Sequence, residues 1–250
     1  KLYFTKQMKY RRINVKSNLG KGTSFSIFIP SNENERKRIR FVHANTEQMK
    51  KDVFFLQRKI LVGEKGYTEE TIHRAADDNA FHLLAYKGLQ PVGTVTCFTE
   101  EMAGILPIES NFVLDGRKSG KRCVEIDRLA VQKSERGSII PLGLMTLAYL
   151  FGKANGAERV FLDVFSDEKK HISMYGKLGF QTIGNYTSPL PVTVMMLDHE
   201  TDYEKKAQRM DHFVKPFMKR LSEYFDFTEE DNSLFMHVID EMTSIRLGNE

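Results

Sequence analysis

Ile139 to Gly152 is the longest apolar stretch in the chain and the feature that most limits its fold. Within it, Pro141 to Asn155 reads as a helix, and Gly156 stands where a C-cap glycine belongs. A helix that is apolar on all sides has to be covered on all sides. The stretch is too short to span a bilayer and contains Pro141 and Gly143, so it reads as the buried helix of a core. Strand-like runs flank it: Cys123 to Val131 before, and Arg159 to Phe165, of the buried type, after.

The other elements are placed around that helix. Arg40 to His43 suits a short strand. Asn45 precedes a helical face of Met49, Val53, Leu56 and Ile60, and Asn45 with Gln48 resembles a capping box. Thr68 opens another helix, which Asp77-Asp78-Asn79 closes. Phe81 to Tyr86 and Val92 to Phe98 form a hairpin through Lys87 to Pro91. Ser166 or Asp167 caps a helix running to about Lys177, and strands follow near Phe180 to Ile183 and Val192 to Leu197. The order β-α-α-β-β-β-α-β-α-β-β predicts an α/β fold on a mixed, twisted sheet flanked by helices.

Two flanking parts differ in character. Ile13 to Val15 and Phe25 to Ile29 alternate around a Leu19-Gly20-Lys21-Gly22 turn, a short N-terminal β-hairpin, and Ser31 to Arg38 suits a linker. The tail carries two apolar stripes, Phe213, Phe217, Leu221 and Tyr224, then Leu234, Val238, Met242 and Ile245. Each reads as an amphipathic helix packing on the domain, with a lid or dimer contact as the alternative. The expected division is residues 1–36, 37–200 and 201–250. Eleven basic residues against two Glu lie in residues 1–40, whereas residues 200–250 are acidic. No zinc-finger spacing, aromatic RNA-binding signature or basic recognition helix accompanies the basic head, so a solvated surface is expected and no nucleic acid. Hydrophobic residues at 41% and charged residues at 28% exclude wholesale disorder. With no initiator Met and no signal pattern, the chain is expected to be a piece of a longer protein. Cys97 and Cys123 are too few for a disulfide framework, and reduced thiols point to the cytoplasm. No histidine pair has metal-ligand spacing, so no metal is expected.

Three local signatures carry a family resemblance. They are His82-Leu-Leu-Ala-Tyr86 through Pro91-Val-Gly-Thr-Val95, then Val124-Glu-Ile-Asp-Arg-Leu-Ala-Val131, then Met174-Tyr-Gly-Lys-Leu-Gly-Phe180. In this order they resemble the GNAT family of acyl-CoA-dependent N-acyltransferases over about residues 38–200. The resemblance implies the GNAT fold and transfer of an acyl group from a thioester to an amine. Separately, residues 13–30 resemble the last hairpin of a sensor histidine kinase ATPase domain, without that family's nucleotide-binding boxes.

The chemistry needs a neutral amine and a stabilised leaving thiolate. The resemblance makes Glu125 the general base and Tyr175 the acid. Strict alternation puts Cys123, Glu125, Asp127, Leu129 and Val131 on one face and Arg128 on the other, unless a bulge intervenes. A backbone amide near Leu129 to Val131 is expected to hold the oxyanion. GNAT enzymes bind a pyrophosphate on a glycine-rich turn at a helix N-terminus. Here Arg136, Gly137 and Ser138 fit its opening and Gly143 its end, but Ile139 and Pro141 replace small residues. Glu125-Ile-Asp-Arg128 resembles the strand of acyl-homoserine-lactone synthases and, more closely, long-chain N-acyl amino acid synthases. Those relatives draw on acyl carrier protein, whose arm bears one phosphate, so a weaker loop suffices. Arg122, Arg128, Lys133 and Arg136 are expected to gather at this strand end and hold a substrate carboxylate or the acidic carrier. His171, one turn before Tyr175, is expected to contact the donor.

The sequence therefore predicts an N-acyltransferase moving an acyl group from acyl carrier protein or acyl-CoA to a small-molecule amine. The rivals are a short-chain acetyltransferase using acetyl-CoA and a non-catalytic thioester-sensing module of a histidine kinase. Oligomeric state is left open.

Overall fold

The buried helix and its flanking strands organise everything else. The computed structural model describes residues 12–18, 22–28, 38–114, 116–198, 224, 226 and 228–244. Nine strands are described: β1 (Arg12–Asn18), β2 (Gly22–Phe28), β3 (Ile39–His43), β4 (Phe81–Lys87), β5 (Gln90–Thr99), β6 (Cys123–Val131), β7 (Arg159–Phe165), β8 (Gln181–Thr187) and β9 (Pro191–Asp198). β1 and β2 pair antiparallel in a sheet of their own. The other seven form one sheet in the order β3-β4-β5-β6-β7-β9-β8. Every neighbouring pair in it is antiparallel except β6 and β7, which the buried helix connects in parallel.

That helix, introduced after helix α1 (Glu47–Gln57) as α2, spans Ile139–Ala154. It starts two residues before the expected Pro141. Ser138 is its N-cap, with Oγ accepting from Ile140 N at 3.2 Å, so Pro141 falls in the first turn, where a missing amide breaks no helical bond. Leu144, Leu147, Ala148, Leu150 and Phe151 are buried against the sheet. Gly93 on β5 permits the approach: a Cβ there would lie 2.9 Å from Ile140 Cγ2 and 3.0 Å from Leu144 Cδ1. The opposite face of the sheet is covered by α1, capped by Thr46 instead of Asn45, with Thr46 Oγ1 accepting from Met49 N. A π-helical turn, Arg58–Val62, continues from α1. The helix expected from Thr68 to Asn79 is two turns, Glu69–Ile72 and Ala75–Asn79, because His73 and Arg74 are extended.

Helix α3 (Lys169–Lys177) ends in a Schellman-type turn, with Gly179 at φ 101° and Phe180 N donating to Tyr175 O. In the tail, α4 (Glu229–Ser244) packs on α2 through buried Phe235 and Val238. Its start is fixed by Asp231, which accepts from Thr228 N and sits 2.7 Å from His43 Nδ1. The stripe Phe213, Phe217 and Leu221, like the side chains of residues 1–37, lies outside the described residues. Among the described residues no helix is long and apolar enough to cross a membrane.

Candidate active site

The site exists because β6 and β7 part company. Their parallel pairing runs from Cys123↔Arg159 to Ile126↔Leu162 and stops. Beyond it β6 stays paired with β5, but with a bulge: Thr96 faces Asp127 and Thr94 faces Ala130, so Arg128 and Leu129 together oppose Val95. The edge of β6 from Asp127 to Val131 therefore has no strand partner on the β7 side. A cleft of about 250 Å³ opens there, at the carboxyl ends of both strands.

The bulge overturns the expected alternation. Glu125, Asp127 and Arg128 lie on the α1 face, whereas Leu129 and Val131 have swung to the α2 face and join its core. Arg128 adopts a left-handed φ of 51°, which costs a non-glycine residue roughly 1–3 kcal/mol. Its guanidinium holds the turn in place. It donates to Asp77 Oδ2 at 2.8 Å, to Asp77 Oδ1 and to Ile72 O at 2.9 Å, under the Phe98 ring. Its Nε lies 2.9 Å from Asp127 Oδ2 without hydrogen-bond geometry. With side chains 1% and 0% exposed, Arg128 and Asp77 form an interior ion pair. Arg128 touches the cleft wall, and its guanidinium is engaged inside the protein by Asp77 and the Ile72 carbonyl. Asp77 is held in turn by Arg74 N and, through its carbonyl, by His82 Nε2. Burial pushes the His82 imidazole down to about 4, so it is neutral, donates from Nε2 and accepts from Thr96 at Nδ1.

Tyr175 stands on the cleft wall, buried, and its hydroxyl has no hydrogen-bond partner among the described residues. The helix end described above and the edge of Phe180, 5.9 Å away, fix its ring. Burial, then the charge of Asp163, pushes the phenol up to about 12, which keeps it a proton donor at neutral pH. Leu129 and Val131 line the cleft too, with Ile60, Leu61, Val164 and Phe165.

Glu125 does not reach the cleft wall. It is 3% exposed, and Oε2 accepts from Ile108 N at 2.9 Å. Burial, then Asp127, raises its carboxyl well above the usual range. Asp163 lines the cleft instead, with Oδ2 accepting from the Tyr186 hydroxyl. Burial and Asp127 push it up to about 6. Among the described residues, Asp77, Glu125, Asp127 and Asp163 share this region with Arg74 and Arg128; Glu125 and Asp163 are raised by burial and by Asp127, whereas Asp77, despite its burial, is lowered by Arg128. An acid in the middle of a buried-type strand was the sequence signal for Asp163, but its partners come from other elements.

At the mouth, Lys65, Arg136 and His171 meet. Arg136 donates to Glu64 and, through Nε, to Val131 O at 3.0 Å, and Lys65 and His171 both pair with Glu168. Burial, then Lys65 and Arg136, lowers the His171 imidazole. Gly137 has open space before it, and Ser138 serves as the helix cap. Gly143 is buried within α2 and lines none of the cleft, against expectation. Lys133 is exposed outside the cleft. Arg122 sits at the far end of β6, its guanidinium against Gly156, so the expected four-residue basic cluster does not form. Among the described residues no group of three or more His, Cys, Asp or Glu is arranged to hold a metal. Both cysteines are buried, free and raised by burial, unsuited to act as nucleophiles.

A bulged strand parting from its parallel neighbour, in this seven-stranded order, is the GNAT fold. The profile of the family "N-acyl amino acid synthase FeeM" matches residues 61–197, more than half of the chain. The chain belongs to that family. The structure of FeeM, an N-acyl amino acid synthase from uncultured soil microbes, is 17% identical, with a TM-score of 0.56 over 66% of this chain and 92% of that one. A putative N-acetyltransferase from Lactobacillus plantarum is 15% identical over 64% of this chain and 98% of its own, with a TM-score of 0.48. An acyl-CoA N-acyltransferase from Pseudomonas aeruginosa is 18% identical over 64% and 97%, with a TM-score of 0.46. The enzyme transfers an acyl group to an amine.

Proposed function

We propose that the enzyme moves a fatty acyl group from a phosphopantetheine thioester to the amine of an amino acid or similar small molecule. The observation that carries this reading is the cleft itself. Its walls are mainly apolar, its depth presents Tyr175 and the Asp163 carboxyl, and its mouth presents Lys65, Arg136 and His171. Apolar walls suit an acyl chain, and the Lys65 and Arg136 cations at the rim suit a phosphate. The donor is acyl carrier protein or long-chain acyl-CoA. With Pro141 lacking an amide and Ile140 N engaged by Ser138, the helix start offers fewer donors to a diphosphate than a glycine-rich loop does. One phosphate and the basic rim make a more economical match.

In this reading the thioester carbonyl lies along the free edge of β6, near Leu129 to Val131, where a backbone amide holds the oxyanion. Tyr175 protonates the leaving thiolate. Glu125 assists from behind, through the shared carboxyl cluster. Residues 37–200 are the catalytic unit, and the cytoplasm, where thiols such as Cys97 and Cys123 stay reduced, is the compartment.

The test is a matrix of donors and acceptors: acetyl-, octanoyl- and palmitoyl-CoA and the matching carrier-protein thioesters, each with a panel of amino acids. Thiol release and N-acyl products by mass spectrometry are the readouts. Long-chain donors are expected to be used best. A preference for acetyl-CoA of about tenfold or more in kcat/KM overturns the donor assignment, and thioester binding without turnover overturns the enzyme reading.

A further inference from the structure

We propose that Asp163 is the catalytic residue that takes the proton from the acceptor's ammonium group, with the Tyr186 hydroxyl holding its carboxylate in position. This rests on the acyl-transfer reading and adds the base that touches substrate. Two carboxylates line the cleft, Asp163 and Glu168. Glu168 is at the mouth, engaged by Lys65 and His171. Asp163 is deeper, near enough to Tyr175 to raise its phenol, and is in no ion pair with a described residue. Its Oδ2 accepts from Tyr186, which leaves Oδ1 without a hydrogen-bond partner among the described residues. The other acids of the cluster are committed elsewhere. Glu125 accepts from Ile108 N away from the cleft, and Asp127 faces Arg74 at 3.2 Å and Arg128 at 2.9 Å.

The surroundings suit a base working near neutrality. Asp127 and Glu125 on β6 lie beside Asp163. Arg74 and Arg128 oppose them, Tyr67 and Tyr175 flank the group with neutral phenols, and Tyr186 donates. Burial and Asp127 outweigh the two arginines and carry Asp163 up to about 6, so it is ionised at neutral pH yet basic enough to accept a proton.

Asp163 takes one proton from the ammonium, and the freed nitrogen lone pair forms the C–N bond at the thioester carbon. The carbonyl π pair moves to oxygen and returns as the C–S bond breaks with its pair on sulfur. Sulfur takes the Tyr175 proton, the second surplus N–H proton restores that phenol, and Asp163 releases its proton to solvent. An ammonium and a thioester thus give an amide, a thiol and one proton.

The experiment compares wild type with Asp163→Asn, Glu125→Gln and Tyr186→Phe, using the preferred donor at saturation and two acceptors. One is an ordinary alkyl amine, the other methoxyamine, which enters already neutral. Asp163→Asn is expected to lower kcat for the alkyl amine about 10²–10⁴-fold at pH 7, with the deficit shrinking at high pH and falling below about tenfold for methoxyamine. Glu125→Gln is expected to cost less than Asp163→Asn at every pH. Tyr186→Phe removes a donor to the carboxylate and should move the acid limb of the rate profile upward. Equal loss for both acceptors at all pH values, or a kcat within about twofold of wild type, overturns the proposal. If Asp163→Asn does not fold by circular dichroism, Tyr186→Phe decides, and an unmoved acid limb overturns it. Failure of the wild type to form any amide is a different result and overturns the acyl-transfer reading.

Discussion

The two halves of β6 have the same strand geometry on paper and opposite uses in the protein. Val124 to Ile126 are paired on both sides, to β5 and to β7, and their side chains are buried. Asp127 to Val131 are paired on one side, bulged, and held by a buried arginine. The first half satisfies every demand on a central strand. The second leaves a backbone edge open and gathers Asp77, Asp127 and Asp163 with Arg74 and Arg128 where a core would hold apolar groups. Burial that is uncompensated by counter-charge is tolerated because acid–base chemistry needs groups whose pKa is displaced from its ordinary value.

Removing the clamp should have the largest effect. Arg128→Ala leaves Asp77 charged and buried alone, and breaking such a pair costs about 3–5 kcal/mol. Denaturant unfolding of Arg128→Ala and Asp77→Ala should show losses of that order. A loss within the range of an ordinary surface substitution would mean that the bulge stands without its clamp.

Next in size is the leaving-group step. Tyr175→Phe should lower kcat about a hundredfold with the donor saturating, without recovery at high pH, because it acts on the thiolate and not on the amine. Recovery at high pH would place Tyr175 with the base instead.

The carboxyl cluster should also be visible in stability. Asp163 and Glu125 have raised pKa values in the fold, so the native state keeps protons that the unfolded chain releases once pH exceeds the ordinary carboxylate range. The stability they lend is complete below that range and is lost as pH rises, through about 6 for Asp163. Asp77, lowered by Arg128, behaves in the opposite sense, its contribution being lost as pH falls. Glu125→Gln should therefore gain on wild type in thermal melts between pH 5 and pH 7.5 at a steady ionic strength. A constant gap across that span would show that Glu125 is ionised in the fold.

The smallest effect tests the two ends of β6 against each other. Arg136→Ala, at the cleft mouth, should raise the donor KM several-fold with little change in kcat, since exposed pairs are worth about 0–1 kcal/mol. Arg122→Ala, at the far end, should leave KM unchanged. Equal shifts for both would show a diffuse field effect instead of a phosphate contact.

Much of this architecture was legible in the chain. Helix α2 and strands β6 and β7 were readable because apolar runs of that length bounded by Gly156 permit few local structures. Tyr175 was readable through the family resemblance of Met174 to Phe180, and the turn at Gly179 with the Phe180 ring holds it at the cleft. The position of Arg128 was not readable. Strict alternation assigned it the face opposite Glu125, and only the pairing of Thr94 with Ala130 and Thr96 with Asp127 shows that one residue of β5 faces two of β6. Arg122 and Arg128 looked like neighbours in a basic cluster, yet the nearly full length of a strand separates them.

The sequence by itself determined the order of elements, the buried helix, the bulk of the core and the chemistry available on β6. Those follow from local periodicity and from the need to cover apolar surface. Tertiary structure alone decided which acid meets the cleft. Asp163 is brought to it by the parting of β7 from β6, oriented by Tyr186 from β8, and raised by burial and by Asp127 from β6. A pKa and an accessible edge are properties of distances between segments, and no stretch of chain carries those distances until it is folded.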